Sequence, residues 1–244
     1  MCIRDRYNTL RFQNFTGTAN VKTPFIYCNA DIGSLGYSVP SSINAVKGST
    51  LASKVTIDAN IEDVSSLYGG ALQSAVYVSA GDVSIRGNIK STRANAITVV
   101  GSSIGTLSVL GDVIANREAI VNLHSGAFQL KIKNSLISSN GLGSATQSVY
   151  MTGPGYMYID NSTIYNGLTD SCFINVTDDM STIGIYNSMA YSPGSSGTFM
   201  YCTYSEYTIG YHNVRSNKDN DGNITDLFEP SGFIYDPYLF VPNF

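Results

Sequence analysis

The chain has 244 residues, of which only 13 % are charged, and Gly, Ser, Asn, Thr and Tyr are abundant. This composition is typical of many short strands joined by turns, and it disfavours a fold built from surface helices. The net charge is −4 and the basic residues are dispersed, whereas nucleic-acid binding requires a concentrated basic face. No apolar run approaches the ~18 residues of a membrane span. Neither nucleic-acid binding nor membrane insertion is therefore predicted.

The N-terminal residues do not follow the pattern of the rest of the chain. Residues 1–6 (Met-Cys-Ile-Arg-Asp-Arg) are charged and lack the apolar core of a secretory signal. They resemble an adaptor-derived leader found on translated environmental sequence fragments, so they are predicted to be non-native. A signal peptide can then not be assessed from this sequence. Residues 7–53 are predicted to form one or more irregular coils, because the terminal repeats of a stack are usually atypical.

From residue 54 onward, a phrase of two apolar residues separated by one other residue recurs at intervals of 23 to 28 residues. The leading residues of this phrase are Val55, Val83, Leu107, Leu130, Met157 and Ile183. Each interval also contains a second phrase of the same kind, and alternation with period two indicates strands. A unit of this length cannot bury a core alone, so residues 54–202 are predicted to stack as a parallel solenoid.

An Asn or Asp residue follows each leading phrase. These residues are Asn60, Asn88, Asp112, Asn134, Asn161 and Asn187. A tight bend between two strands favours a residue that tolerates left-handed backbone geometry, and a side-chain amide at the bend can bond its equivalent about 4.8 Å away on the next coil.

The period and the Asn turns together resemble the right-handed parallel β-helix of the pectate-lyase-like superfamily. This resemblance implies an all-β fold, a single-stranded right-handed parallel β-helix with 23–28 residues per coil. The alternative, a β-sandwich, would not explain why the same phrase returns repeatedly with the same polarity. Residues 203–244 break the period and are predicted to cap the open end or to contact another subunit, since an open β-helix exposes strand edges.

The outward positions of the first strands include candidate binding residues. Lys131, Lys133 and Asp160 lie on two successive units, with Lys133 and Asp160 predicted to be neighbours. They form either part of a sugar-binding or acid–base cluster, or a solvated cross-strand ion pair of small energetic value.

Tyrosines are concentrated on the later units. Tyr158 and Tyr186 are predicted to point outward from successive first strands, and Tyr165 and Tyr191 from successive second strands. An exposed aromatic strip suits stacking on sugar rings or on a protein partner. The alternative is an aromatic patch covered by the C-terminal tail.

A loop near the C-terminus resembles the first part of a calcium-binding loop. Its candidate ligands are Asn217, Asp219, Asp221 and Asp226. The pattern departs at position twelve, where Phe228 replaces the bidentate acid, and a simple polar turn is the alternative. No other cofactor is predicted.

No catalytic motif could be assigned, and the absence of tryptophan excludes the Trp-containing motifs of pectate lyases. The sequence therefore favours a structural or receptor-binding β-helix of a phage tail, a virion surface or a bacterial adhesin. Such a protein would recognise glycan or protein surfaces, would be extracellular, on a cell surface or on a virion, and would form a homotrimer. The alternative function is a polysaccharide depolymerase, either a lyase or a glycoside hydrolase, on the same fold.

Overall fold

The fold is seen in a computed structural model, and it is described here for fifteen segments of the chain. These are residues 8–12, 17–28, 44–48, 53–64, 74–78, 80–92, 94–101, 105–124, 128–140, 147–152, 155–167, 172–177, 182–192, 200–202 and 208–216. Within these segments all regular structure is β-strand. None of them contains a helix long and apolar enough to cross a membrane.

Twenty strands make up the described structure. They are β1 (Asn8–Phe12), β2 (Gly17–Cys28), β3 (Asn44–Gly48), β4 (Ser53–Asp63), β5 (Ser74–Val78), β6 (Gly81–Arg86), β7 (Ile89–Ser91), β8 (Asn95–Gly101), β9 (Gly105–Leu110), β10 (Val113–Ala115), β11 (Ile120–His124), β12 (Phe128–Lys133), β13 (Leu136–Ser139), β14 (Gln147–Met151), β15 (Tyr156–Asp160), β16 (Thr163–Asn166), β17 (Cys172–Val176), β18 (Thr182–Tyr191), β19 (Met200–Cys202) and β20 (Thr208–Ser216).

All the described strand pairs are parallel and build a β-solenoid with three faces. The first face contains β2, β4, β6, β9, β12, β15, β18 and β20. The second contains the ends of β2 and β4, then β7, β10, β13 and β16, and finally the ends of β18 and β20. The third face runs from β1 through β3, β5, β8, β11, β14 and β17 to β19. Four consecutive turns, from β6 to β17, each have three separate strands. The predicted all-β parallel solenoid is confirmed.

The register of the first face is the one predicted from the repeated phrase. Val83 pairs with both Val55 and Leu107, and the ladder continues through Leu130 to Met157 and Ile183. These side chains are 0–4 % exposed and belong to one core that runs through the solenoid. Apolar residues therefore alternate inward, and the residues between them form the outer surface of the face. The ladder also extends beyond residues 54–202, to β2 and β20.

The corner between the first and second faces has two different constructions. In the downstream turns Asn134, Asn161 and Asn187 adopt the predicted left-handed conformation, with φ of 52°, 47° and 46°. In the upstream turns the positive φ belongs instead to the glycine before the Asn or Asp residue, at Gly87 (139°) and Gly111 (142°). The expectation that Asn or Asp itself supplies the bend is thus wrong for these upstream turns, because a glycine beside it adopts a conformation that no residue with a Cβ reaches easily.

The two kinds of corner carry different hydrogen-bond ladders. Upstream, the backbone N–H of Asn88 donates to Asn60 Oδ1 and that of Asp112 to Asn88 Oδ1, both at 3.0 Å. Downstream, Asn161 Nδ2 donates to Asn134 Oδ1 at 2.7 Å. The predicted bonding from one turn to the next is confirmed.

Asp112 joins the two ladders, because its Oδ1 accepts the backbone N–H of Leu136 at 2.8 Å. Replacing Asp112 with Asn keeps an oxygen acceptor at this place and is expected to leave the urea midpoint of unfolding nearly unchanged. Replacing it with Ala removes the acceptor from a partly buried N–H, which costs about 1–3 kcal/mol. Equal losses for the two variants in urea titrations followed by circular dichroism would contradict this role.

Candidate functional site

The outward side chains of the first face form straight rows, because the parallel strands pair without a shift over its central strands. One row contains Thr56, Ser84, Ser108, Lys131, Tyr158 and Gly184. The row beside it towards the corner contains Asp58, Arg86, Leu110, Lys133, Asp160 and Tyr186. The predicted site residues of the first strands therefore lie together on this face, in its downstream half.

Lys133 and Asp160 form the predicted cross-strand ion pair. Lys133 Nζ lies 3.6 Å from Asp160 Oδ2, and the two side chains are 59 % and 33 % exposed. The other oxygen of Asp160 accepts a hydrogen bond from Asn187 Nδ2 at 3.3 Å. An exposed pair of this kind contributes about 0.2–1 kcal/mol. Both oxygens of Asp160 are thus engaged by neighbouring side chains.

Two tyrosine rings converge above a glycine at the downstream end of the first face. An added Cβ on Gly184 would lie 2.8 Å from Tyr186 Cε2 and 3.1 Å from Tyr158 Cδ1, so both rings occupy the space that a side chain at position 184 would fill. Tyr186 is 36 % exposed, and Tyr156, on the same strand as Tyr158, is 41 % exposed. We name Tyr156, Tyr158 and Tyr186 the tyrosine cluster.

Gly184 is not among the predicted site residues, although the sequence carries a signal for it. The equivalent positions of the earlier repeats carry Thr, Ser, Lys or Tyr, so the glycine within Ile183-Gly184-Ile185 interrupts a row of side chains. Such a gap next to tyrosines indicates a place where rings can lie against backbone.

Lys131 borders the tyrosine cluster. It pairs with Tyr158 on one side and with Ser108 on the other, and it is only partly exposed. Within the described segments, no carboxylate forms an ion pair with it. Its ammonium group is therefore available to an anionic or hydroxyl-bearing ligand beside the rings.

Tyr165 and Tyr191 form a separate pair on the second face. Their ring centroids are 6.1 Å apart and the ring planes are inclined by 25°, which is a stacked arrangement. The corner that contains Asn161 and Ser162 lies between this pair and the tyrosine cluster. The structure thus divides the predicted tyrosines into two groups on two faces.

A buried polar network lies at the start of the third strands. Gln147 Nε2 donates to Glu118 Oε1 at 3.0 Å, Asn175 Nδ2 donates to Gln147 Oε1 at 3.3 Å, and Arg117 Nε lies 3.7 Å from Glu118 Oε2. The network links three successive turns and satisfies the carboxylate of Glu118, which is 8 % exposed. Elsewhere on the third face, burial raises the pKa of Tyr77.

No protein family, curated protein or solved structure compared with the chain matches it. The geometry described above is therefore the basis for any functional assignment.

The candidate calcium ligands Asn217, Asp219, Asp221 and Asp226 lie outside the described residues. Among the residues that are described, no group of three or more His, Cys, Asp or Glu side chains is placed to hold a metal ion.

Proposed function

We propose that this chain is a β-solenoid binding protein whose first face recognises a glycan. The observation that carries the proposal is the tyrosine cluster, in which Tyr158 and Tyr186 converge over Gly184 and Tyr156 lies exposed beside them. Rigid aromatic rings on an exposed, regular sheet offer apolar faces on which sugar rings can stack, at little cost in side-chain entropy.

The polar groups around the tyrosine cluster suit the same ligand. Lys131 supplies hydrogen-bond donors next to Tyr158, and the hydroxyl of Ser108 and the amide of Gln129 lie on the adjacent positions of the ladder. Sugars present dense hydroxyl groups, and some carry a carboxylate or sulfate, so a patch of rings bordered by donors and acceptors can bind both their faces and their edges.

The wider setting of this function is also part of the proposal. The chain is a right-handed β-helix related to the pectate-lyase-like superfamily, and it acts as a receptor-binding or structural part of a phage tail, a virion surface or a bacterial adhesin. It is exposed to the extracellular space and works as a homotrimer.

On the described strands of the first face, the positions of the carboxylates favour binding over cleavage. A glycoside hydrolase requires two acids about 5–10 Å apart across the scissile bond. Asp160 is engaged by Lys133 and Asn187. Asp58 and Asp82 lie on adjacent strands but four positions apart along the face, a separation of about 14 Å between Cα atoms.

The test is a panel of immobilised polysaccharides that is scored for both retention and product release. The panel contains α-1,4-glucan, β-1,4-glucan, mannan, galactan, chitin, polygalacturonate and a sulfated galactan. We expect the chain to be retained by at least one member without release of shorter products. Release of products would assign the depolymerase activity instead, and no retention on any member would overturn the proposal.

A further inference from the structure

The upstream half of the first face contains a shallow hollow that the tyrosine cluster does not use. Its volume is about 270 Å³, and its lining comprises Lys54, Val55, Thr56, Asp82, Val83, Ser84, Thr106 and Ser108. The two valine side chains are buried in the core, so the surface of the hollow is made by four hydroxyl side chains and two of opposite charge.

The hollow and the tyrosine cluster share the same rows of residues. The row of Thr56, Ser84 and Ser108 continues directly into Lys131 and Tyr158. A parallel row lies beside it, on the side away from the corner. This row contains Lys54, Asp82 and Thr106 and continues into Gln129 and Tyr156. Because neighbouring strands are about 4.8 Å apart, the distance from Thr56 to Tyr158 is about 19 Å along the solenoid axis.

The short side chains explain why a hollow forms here. Ser84 and Ser108 leave space where the equivalent positions downstream carry Lys131 and Tyr158. A hydroxyl can donate and accept, Lys54 donates and Asp82 accepts, so the hollow offers both kinds of partner to a ligand that carries many hydroxyl groups.

We propose that the hollow is the second half of an extended glycan-binding site, so that one linear glycan lies along the solenoid axis across β4, β6, β9, β12 and β15. This inference rests on the proposed function. One end of the glycan stacks on Tyr156 and Tyr158 of the tyrosine cluster, which lie on β15, and the sugars that follow lie in the hollow. A hexose in an extended chain is about as long as the spacing of about 4.8 Å between strands, so the site takes about five sugars.

The experiment measures affinity as a function of glycan length. The probes are oligomers of two to eight sugars, prepared from the polysaccharide that retains the unchanged chain most strongly. We expect Kd to fall by tenfold or more between the trimer and the pentamer, and then to level off. If the unchanged chain binds the dimer and the octamer with the same Kd, the inference is overturned and the proposed function is left intact.

A pair of variants separates the hollow from the tyrosine cluster. The double variant Thr56→Leu, Ser84→Leu fills the hollow with groups that form no hydrogen bonds, at two partly exposed positions that do not adjoin Lys131 or the tyrosine cluster. We expect this variant to bind the dimer and trimer with the same Kd as the unchanged chain, but to lose the higher affinity for longer oligomers. The matched control is Thr163→Leu, which adds the same group on the second face. It is expected to change neither the affinity for the dimer and trimer nor the increase in affinity with oligomer length.

The outcomes identify which idea fails. If the double variant keeps the full dependence on length while its urea midpoint matches that of the unchanged chain, the hollow is not part of the site. If the panel retains nothing, the proposed function fails and the extended site fails with it. If the double variant also no longer binds the dimer, the division of the glycan-binding site into two halves is wrong.

Discussion

Replacing Gly111 with alanine is expected to lower the free energy of unfolding by roughly 2–6 kcal/mol. Gly111 has φ of 142°, which residues with a Cβ adopt only at a cost of about 1–3 kcal/mol. In addition, the new Cβ would lie 2.6 Å from the carbonyl carbon of Gly87 on the preceding turn. Relief of that overlap requires the two turns to separate, which adds about 1–3 kcal/mol. The loss is measured by urea titration followed by circular dichroism.

Gly17 provides the matched control. It also has a positive φ, of 118°, but a Cβ there would have nothing within 4 Å. Gly17→Ala is therefore expected to show the backbone cost alone, about 1–3 kcal/mol. The difference between the variants measures the close approach of Gly111 and Gly87, and equal losses would show that this approach contributes nothing.

The double variant Tyr158→Ala, Tyr186→Ala is expected to weaken glycan binding by at least a hundredfold. Tyr186 is exposed and Tyr158 is partly exposed, so neither ring belongs to the core. Truncation of an aromatic residue at the centre of a binding site typically costs about 2 kcal/mol or more. Each 1.4 kcal/mol corresponds to about a factor of ten in Kd. Kd is measured by isothermal titration with the oligomer that the unchanged chain binds best.

Tyr165→Ala is the control for this loss, because it also removes a partly exposed tyrosine ring, from the stacked pair on the second face. It is expected to bind the oligomer like the unchanged chain. If Tyr165→Ala weakens binding as strongly as the double variant, the site is not confined to the first face.

The register of the first face could be predicted from the sequence because the signal is local. The apolar residues at Val55, Val83 and Leu107 alternate with polar ones, and a strand that slipped by one position would place every apolar side chain in solvent. Once this register was predicted, the contact between Lys133 and Asp160 followed, since they occupy equivalent positions on adjacent strands.

Other features depend on contacts between faces and could not be predicted in this way. Thr98 and Val121 occupy the positions between inward-facing residues of the third strands, yet they are 0 % and 1 % exposed. Their burial is set by packing on the outer side of that face, which alternation does not encode. The sequence predicted Tyr158 and Tyr165 on different strands of one unit but in a single aromatic strip, whereas the corner at Asn161 places them on two faces.

The construction of the corner between the first and second faces changes at Asp112, and this change limits how the solenoid could gain further turns. In the downstream turns Asn161 bonds to Asn134, and the hydroxyls of Ser162 and Ser188 accept the N–H groups of Ser135 and Ser162. A duplicate of residues 134–160 inserted among these turns would carry the same Asn-Ser pair, so its side chains would find like partners on the turns above and below.

The upstream corner has two residues between Leu110 and Val113, whereas the downstream corner has three between their pairing partners Lys133 and Ile137. A stretch copied from the upstream turns and inserted at the same place would therefore lack those partners. Growth by duplication is therefore easier within either half than across the junction, and Leu136, whose N–H bonds to Asp112, marks where two separately extendable stacks meet.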